Sequence, residues 1–117
     1  MHKVVIKRPH KTPVIAIMNL ELSDLQSIVG GHIEAHPFPP DLSADDENQS
    51  GITIIMNKEG KLEGLDVTMK LVHEWKTYDV TCGSIIFCSV DDEGETIGLT
   101  DEQVSKALEY LRVNQLF

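Results

Sequence analysis

Short apolar runs rich in β-branched residues dominate the first half of the chain and predict strands. Residues 3–8 (KVVIKR) and 13–18 (PVIAIM) flank a proline-containing turn, so they predict an opening hairpin. Residues 32–38 (HIEAHPF) lead into a group of prolines and predict a third strand. Residues 51–57 (GITIIMN) contain three isoleucines and a threonine, and they predict a fourth strand.

The stretch from residue 78 to residue 99 predicts a pair of strands around an acidic turn. Residues 78–90 (YDVTCGSIIFCSV) are predicted as one strand with a bulge at Gly83, and residues 96–99 (TIGL) return beside it. Cys82 and Cys88 would then lie roughly 20 Å apart, too far for a disulfide bond. We therefore expect two reduced thiols, as in a cytosolic protein.

Apolar residues recur at helical spacing in two segments, one after the opening hairpin and one near the C-terminal end. Residues 22–29 (LSDLQSIV) precede two glycines that favour a helix stop, and Ser23 with Gln26 has the spacing of a capping box. Residues 101–113 carry apolar side chains at i, i+3, i+4 and i+7 behind a second capping-box match, Thr100 with Gln103. Two amphipathic helices are predicted here.

A middle helix is predicted from residues 65–75 (LDVTMKLVHEW). Leu65, Met69 and Val72 recur there at helical spacing. The predicted order becomes β-β-α-β-β-α-β-β-α, whose opening is also that of a β-grasp fold. We expect one α+β domain over residues 1–117, with a mixed or antiparallel sheet, helices on one face and an acidic loop at residues 39–50.

Length and hydropathy predict a soluble, cytoplasmic protein with one core. The chain has 117 residues, 41% of them apolar. No apolar run approaches the roughly 20 residues of a membrane span. The first residues lack the features of a signal peptide, so no membrane partner is expected.

Charge changes the range of expected partners. The net charge of −9 argues against direct binding to nucleic acid. Acidic residues concentrate in residues 41–47 and 91–95, which act either as solvating loops or as an electrostatic footprint for a basic protein. The candidate partner-binding acids are Asp45, Asp46, Glu47, Asp91, Asp92 and Glu93.

His32, Glu34 and His36 alternate along the third predicted strand and project from one of its faces. They are either the polar outer face of the strand, with Ile33 and Ala35 toward the core, or the start of a metal site. A third ligand would come from a neighbouring strand, with His73, Asp79 and Cys82 as candidates. No metal or other cofactor is predicted. His32, Glu34 and His36 are retained as the only candidate metal ligands.

Trp75 is the only tryptophan, and it either packs in the core or over a helix, or anchors a partner. The surrounding HEWK lacks the second histidine of a metalloprotease motif. No serine, cysteine or lysine lies in a recognisable catalytic context.

Three segments together resemble a known family. They are LSDLQSIVGGHIEAHPF, IIMNKEGKLEGL and DDEGETIGLTDEQV. These segments resemble a family of small bacterial domains of unknown function, often encoded by phages and mobile elements. The resemblance implies no catalytic residues. The chain departs from the family pattern at His32, where an aromatic residue is expected, and at DVTMKLVHEW (66–75), so HEWK is particular to this protein.

The leading hypothesis is a non-enzymatic binding protein from a phage or mobile element. It would inhibit or modulate a host protein, such as a defence or nucleic-acid-handling protein, by covering its basic surface. One alternative is a nucleotide-binding sponge that uses Lys7, Arg8 and Lys11, and another is a metal-dependent enzyme built on His32/Glu34/His36. The oligomeric state stays open, a dimer included.

Overall fold

Ten elements make up the computed structural model, which describes residues 1–39 and 51–116. In chain order they are β1 (His2–Lys7), β2 (Val14–Met18), α1 (Leu22–Val29), β3 (Ile33–Pro37), β4 (Ile52–Asn57), β5 (Val67–His73), β6 (Lys76–Cys82), β7 (Ile85–Val90), β8 (Thr96–Ile97) and α2 (Asp101–Asn114). The predicted acidic loop lies almost wholly outside the described residues, as do Asp45, Asp46 and Glu47. No helix in the described part is long and apolar enough to cross a membrane.

The main sheet runs in the order β2-β1-β7-β4-β3, with β8 beside β7. Every pairing between the described strands is antiparallel. The predicted α+β class with an antiparallel sheet is confirmed. The opening hairpin is also confirmed, because β1 and β2 pair from His2–Met18 to Ile6–Val14.

The two helices cover opposite faces of this sheet, so the expectation of helices on one face is wrong. Neighbouring residues of β7 show why, since Ile86 and Phe87 are both fully buried although they point to opposite sides. On the Ile86 side, α1 contributes Leu25 and Val29 to the core. On the Phe87 side, α2 and strand β5 complete a second core. A central strand buried on both faces needs a cover on each.

The predicted middle helix is wrong, because residues 67–73 form strand β5 instead. It pairs with β6 in a separate two-stranded sheet. Met69 and Leu71 are buried, and they alternate as a strand requires. The helical spacing of Leu65, Met69 and Val72 is therefore a coincidence. The order of a hairpin, a helix and further strands, which is the opening of a β-grasp fold, is present from β1 to β4.

Gly83 divides the stretch that was predicted as a single strand. Its φ of +82° is a backbone conformation that glycine adopts without strain, and it carries the chain from β6 into β7. The two cysteines consequently lie on different strands. Both are free and buried, and burial raises the pKa of the Cys88 thiol to about 12.

The helix ends follow local chemistry, with one difference from prediction. Thr100 and Gln103 form the predicted capping box of α2. The box of α1 is made by Glu21 and Asp24 rather than by Ser23, and Gly30 ends the helix at a φ of 83°. Glutamate is not among the usual cap residues, which is why the sequence pattern placed the cap of α1 two residues late, at Ser23.

Candidate functional site

The β5–β6 hairpin ends in a tight turn that displays Trp75. His73 and Lys76 form the last strand pair, so Glu74 and Trp75 are a two-residue loop. Their φ angles are 50° and 68°, the positive values that a type I′ turn requires. Such turns favour Asn-Gly, and neither residue here is of that kind. Trp75 is 85% exposed at this tip, which excludes the helix-cover interpretation.

Tyr110 of α2 braces the hairpin through hydrogen bonds to the backbone of β5. Its hydroxyl accepts a hydrogen bond from the Val72 N–H at 3.0 Å and donates one to the Lys70 carbonyl at 2.8 Å. Burial raises the pKa of Tyr110 to about 12. Its ring also packs edge-on against Phe38, with centroids 5.1 Å apart. The strand that leads to Trp75 is thus attached to a helix by side-chain contacts that the sequence did not reveal.

We expect Tyr110→Phe to lower the free energy of unfolding by about 1–3 kcal/mol, because it leaves the Val72 N–H and the Lys70 carbonyl without their partner. Urea unfolding measures the loss, and hydrogen exchange at the Val72 amide reports the local loosening. Tyr78→Phe is the matched control, since Tyr78 is 49% exposed and should lose less than about 0.5 kcal/mol. Equal losses in the two variants would contradict the brace.

The strand register directs the hairpin toward the end of the main sheet at which the acidic turn begins. Cys82, at the base of the hairpin, lies next to the start of β7. Nearer the tip, Tyr78 stacks on His36 with centroids 6.1 Å apart. His36 is in register, across β4, with Phe87 in the middle of β7. The hairpin therefore points toward the far end of β7, where residues 91–95 begin.

The acidic turn assigns different roles to its predicted binding residues. One carboxylate oxygen of Asp91 accepts the N–H groups of Glu93 and Glu95, each at 2.9 Å, so Asp91 holds the turn together. Asp92 and Glu93 are exposed. The charges available to a partner in the described part of this turn are therefore those of Asp92, Glu93 and Glu95, with Asp91 as their support.

Glu34 and His36 share one side of β3, as predicted, whereas His32 precedes the strand and lies beside Leu22 and Gln26 of α1. The side of Glu34 and His36 is not simply the outer one. The hairpin packs there, and His36 is half-buried against Tyr78. Ala35 is exposed rather than in the core, because β3 is an edge strand. Among residues 1–39 and 51–116, no group of three or more His, Cys, Asp or Glu side chains is placed to hold a metal ion.

The candidate third ligands from neighbouring strands have other surroundings. Asp79 accepts a hydrogen bond from the Lys61 ammonium, which lowers the pKa of that carboxyl. Cys82 is buried. His73 lies at the exposed end of the hairpin, where its Nε2 is 3.7 Å from the Oε1 of Glu74. The arrangement gives no support to a metal-dependent enzyme.

The ammonium group of Lys7, one of the basic residues around the first turn, is directed inward. Lys7 is 1% exposed, and its ammonium donates to the carbonyls of Arg8 and Lys11. Burial lowers the pKa of Lys7. A lysine committed to backbone carbonyls does not present its charge to a nucleotide. Of the three residues named for the nucleotide-binding alternative, Arg8 and Lys11 therefore remain.

The fold and this surface define an antiparallel α+β domain with a braced, projecting hairpin. The chain belongs to a family described as a domain of unknown function (DUF3846), which matches residues 1–112. This confirms the resemblance drawn from the three segments, and it identifies no catalytic family. No curated protein and no solved structure matches the chain.

Proposed function

We propose that this protein is a non-enzymatic binding protein that captures a macromolecular partner at the end of the sheet that carries Trp75 and the acidic turn. The observation that carries the proposal is a tryptophan 85% exposed at the tip of a braced hairpin. Tryptophan is among the residues most often found as binding hot spots. Its large apolar surface remains in water unless a partner covers it.

The hairpin presents this anchor at a low entropic cost. Tyr110 hydrogen-bonds the strand two residues before the turn, and the tight turn fixes the backbone of Trp75 itself. A preorganised anchor loses little conformational freedom on binding, so more of the contact energy appears as affinity.

Charge supports a partner with a basic surface. The chain carries −9 overall, and the exposed carboxylates of Asp92 and Glu93 follow the end of β7 toward which the hairpin points. A negative rim around an apolar anchor steers and orients a positively charged partner. The arrangement suits a protein that handles nucleic acid, whose basic surface this domain would cover.

The concrete form of the proposal is inhibition of a host defence or nucleic-acid-handling protein by a product of a phage or mobile element. It rests on the acidic charge and on the family resemblance noted from the sequence. It places the protein in the cytoplasm of the bacterial host. Affinity capture from a host lysate followed by mass spectrometry identifies the partner.

Neutralising the turn tests the electrostatic part of this proposal. We expect Asp92→Asn with Glu93→Gln to weaken binding of the captured partner about two- to tenfold and to reduce its salt dependence, since exposed charge pairs contribute modestly. Asp91 is left intact because it holds the turn. Isothermal titration at two salt concentrations measures both effects.

Glu59→Gln with Glu63→Gln is the matched control, because it removes two exposed charges near the base of the hairpin. It should change affinity by less than twofold. A second variant extends the neutralisation to Asp45, Asp46 and Glu47, which lie outside the described residues. Unchanged capture by that variant would contradict the acidic mechanism.

A further inference from the structure

The two edges of the main sheet differ in how they are protected. The β3 edge carries Glu34 and Pro37, a charged residue and a proline of the kind that discourages strand pairing. The β2 edge reads Val-Ile-Ala-Ile-Met and carries no charge. Ile15 and Ile17 are 54% and 57% exposed there. An exposed apolar edge of this kind is a template for another strand.

The backbone of β2 is oriented to accept such a strand. In β1, the Lys3 carbonyl accepts the Leu99 N–H at 2.7 Å, so Lys3 directs its backbone groups away from β2. Backbone direction alternates along a strand, and Lys3 is in register with Ile17. It follows that Ala16 bonds to β1, whereas Ile15 and Ile17 direct their N–H and carbonyl groups to the open edge.

The sequence of β2 is complementary to itself in the antiparallel direction. We propose that the occupant of this edge is a second copy of the chain, paired about a two-fold axis at Ala16. Ile15 of one copy then lies opposite Ile17 of the other. The two such pairs exchange four backbone hydrogen bonds, and four isoleucine side chains meet on one face.

There is room for the second copy beside this edge. Helix α1 packs chiefly on β3, β4 and β7, and α2 chiefly on β1 and β5, so β2 extends beyond both helices.

The pairing predicts a weak dimer whose salt dependence is opposite to that of partner binding. One strand pair buries less area than a standard interface, so we expect dissociation constants of about 10–100 µM. Each copy carries −9, and salt screens the repulsion between two copies. Raising salt should therefore strengthen the dimer while it weakens capture of a basic partner.

Sedimentation equilibrium of the full chain between about 5 and 500 µM tests the proposal. We expect the wild type to shift from monomer toward dimer and Ile15→Thr with Ile17→Thr to stay monomeric, since threonine keeps strand propensity but removes apolar surface. Leu62→Thr, at a site 88% exposed, is the control and should dimerise normally. A wild type that stays monomeric over the whole range would overturn the proposal. That is also the result expected if the β2 edge binds only other proteins.

Cysteine cross-linking tests the register, in a Cys82→Ser and Cys88→Ser background whose folding is checked by circular dichroism. Paired across the axis, Ala16 and its copy have Cα atoms about 4.5 Å apart, within disulfide range. Ala16→Cys should therefore cross-link under mild oxidation. Val14→Cys should not, because the two Val14 residues lie about four positions apart along the strands. Equal cross-linking of both variants would refute the two-fold register.

Discussion

Phe87→Ala is expected to lower the free energy of unfolding by about 3–5 kcal/mol, because it opens a cavity in the core between the main sheet and α2. Phe87 is fully buried in the central strand β7 and packs edge-on against Phe38, with centroids 6.1 Å apart. Domains of this size have about 5–15 kcal/mol in total, so the variant is expected to be close to unfolding. Urea unfolding at 25 °C measures the difference.

Leu62→Ala provides the control for this loss. It also shortens an apolar side chain, but Leu62 is 88% exposed and should change stability by less than about 0.5 kcal/mol. Phe87→Leu retains most of the buried volume and should cost less than the alanine variant. A loss below about 1 kcal/mol for Phe87→Ala would contradict the packing of α2 and β5 on this face of β7.

The elements predicted correctly are those whose signals are local. The opening hairpin follows from two apolar runs around a proline turn, and α2 follows from Thr100 with Gln103 and its apolar period. Strand β4 follows from GITIIMN in the same way. In each case the residue propensities, the apolar periodicity and the turn or cap residues favour the same element, and tertiary packing agrees with them.

The prediction for the middle of the chain was wrong because the local sequence signals there are ambiguous. Met69 fits both the helical spacing that predicted a helix and the strand alternation that the structure shows. The turn at Glu74–Trp75 contains no glycine or asparagine to mark a hairpin, although both residues have positive φ. What selects the strand is its pairing with β6 across this unmarked turn, together with the hydrogen bond to the Tyr110 hydroxyl of α2, 38 residues away from Val72 in sequence.

The candidate site was predictable in its composition but not in its geometry. The acids of residues 91–95 are visible as a cluster, yet only the structure separates Asp91, which supports the turn, from Asp92 and Glu93. Lys7 reads as part of a basic arm, yet its ammonium turns inward to backbone carbonyls. Where a charged side chain points depends on neighbours that sequence spacing does not specify.

Trp75→Ala is expected to weaken binding of the captured partner by about 30- to 1,000-fold, because truncating a tryptophan hot spot costs about 2–4 kcal/mol. The stability of the free protein should change little, since Trp75 is 85% exposed and supports no core. Isothermal titration measures the affinity, and urea unfolding measures the stability.

A turn redesign separates the anchor from the hairpin that carries it. Glu74→Asn with Trp75→Gly installs the dipeptide that a type I′ turn favours and relieves two non-glycine residues at positive φ. It should raise the free energy of unfolding by about 1–2 kcal/mol while it removes the anchor. A more stable protein that no longer captures its partner assigns the loss to the side chain of Trp75. If both Trp75→Ala and the redesigned turn capture the partner as the wild type does, binding takes place on another surface.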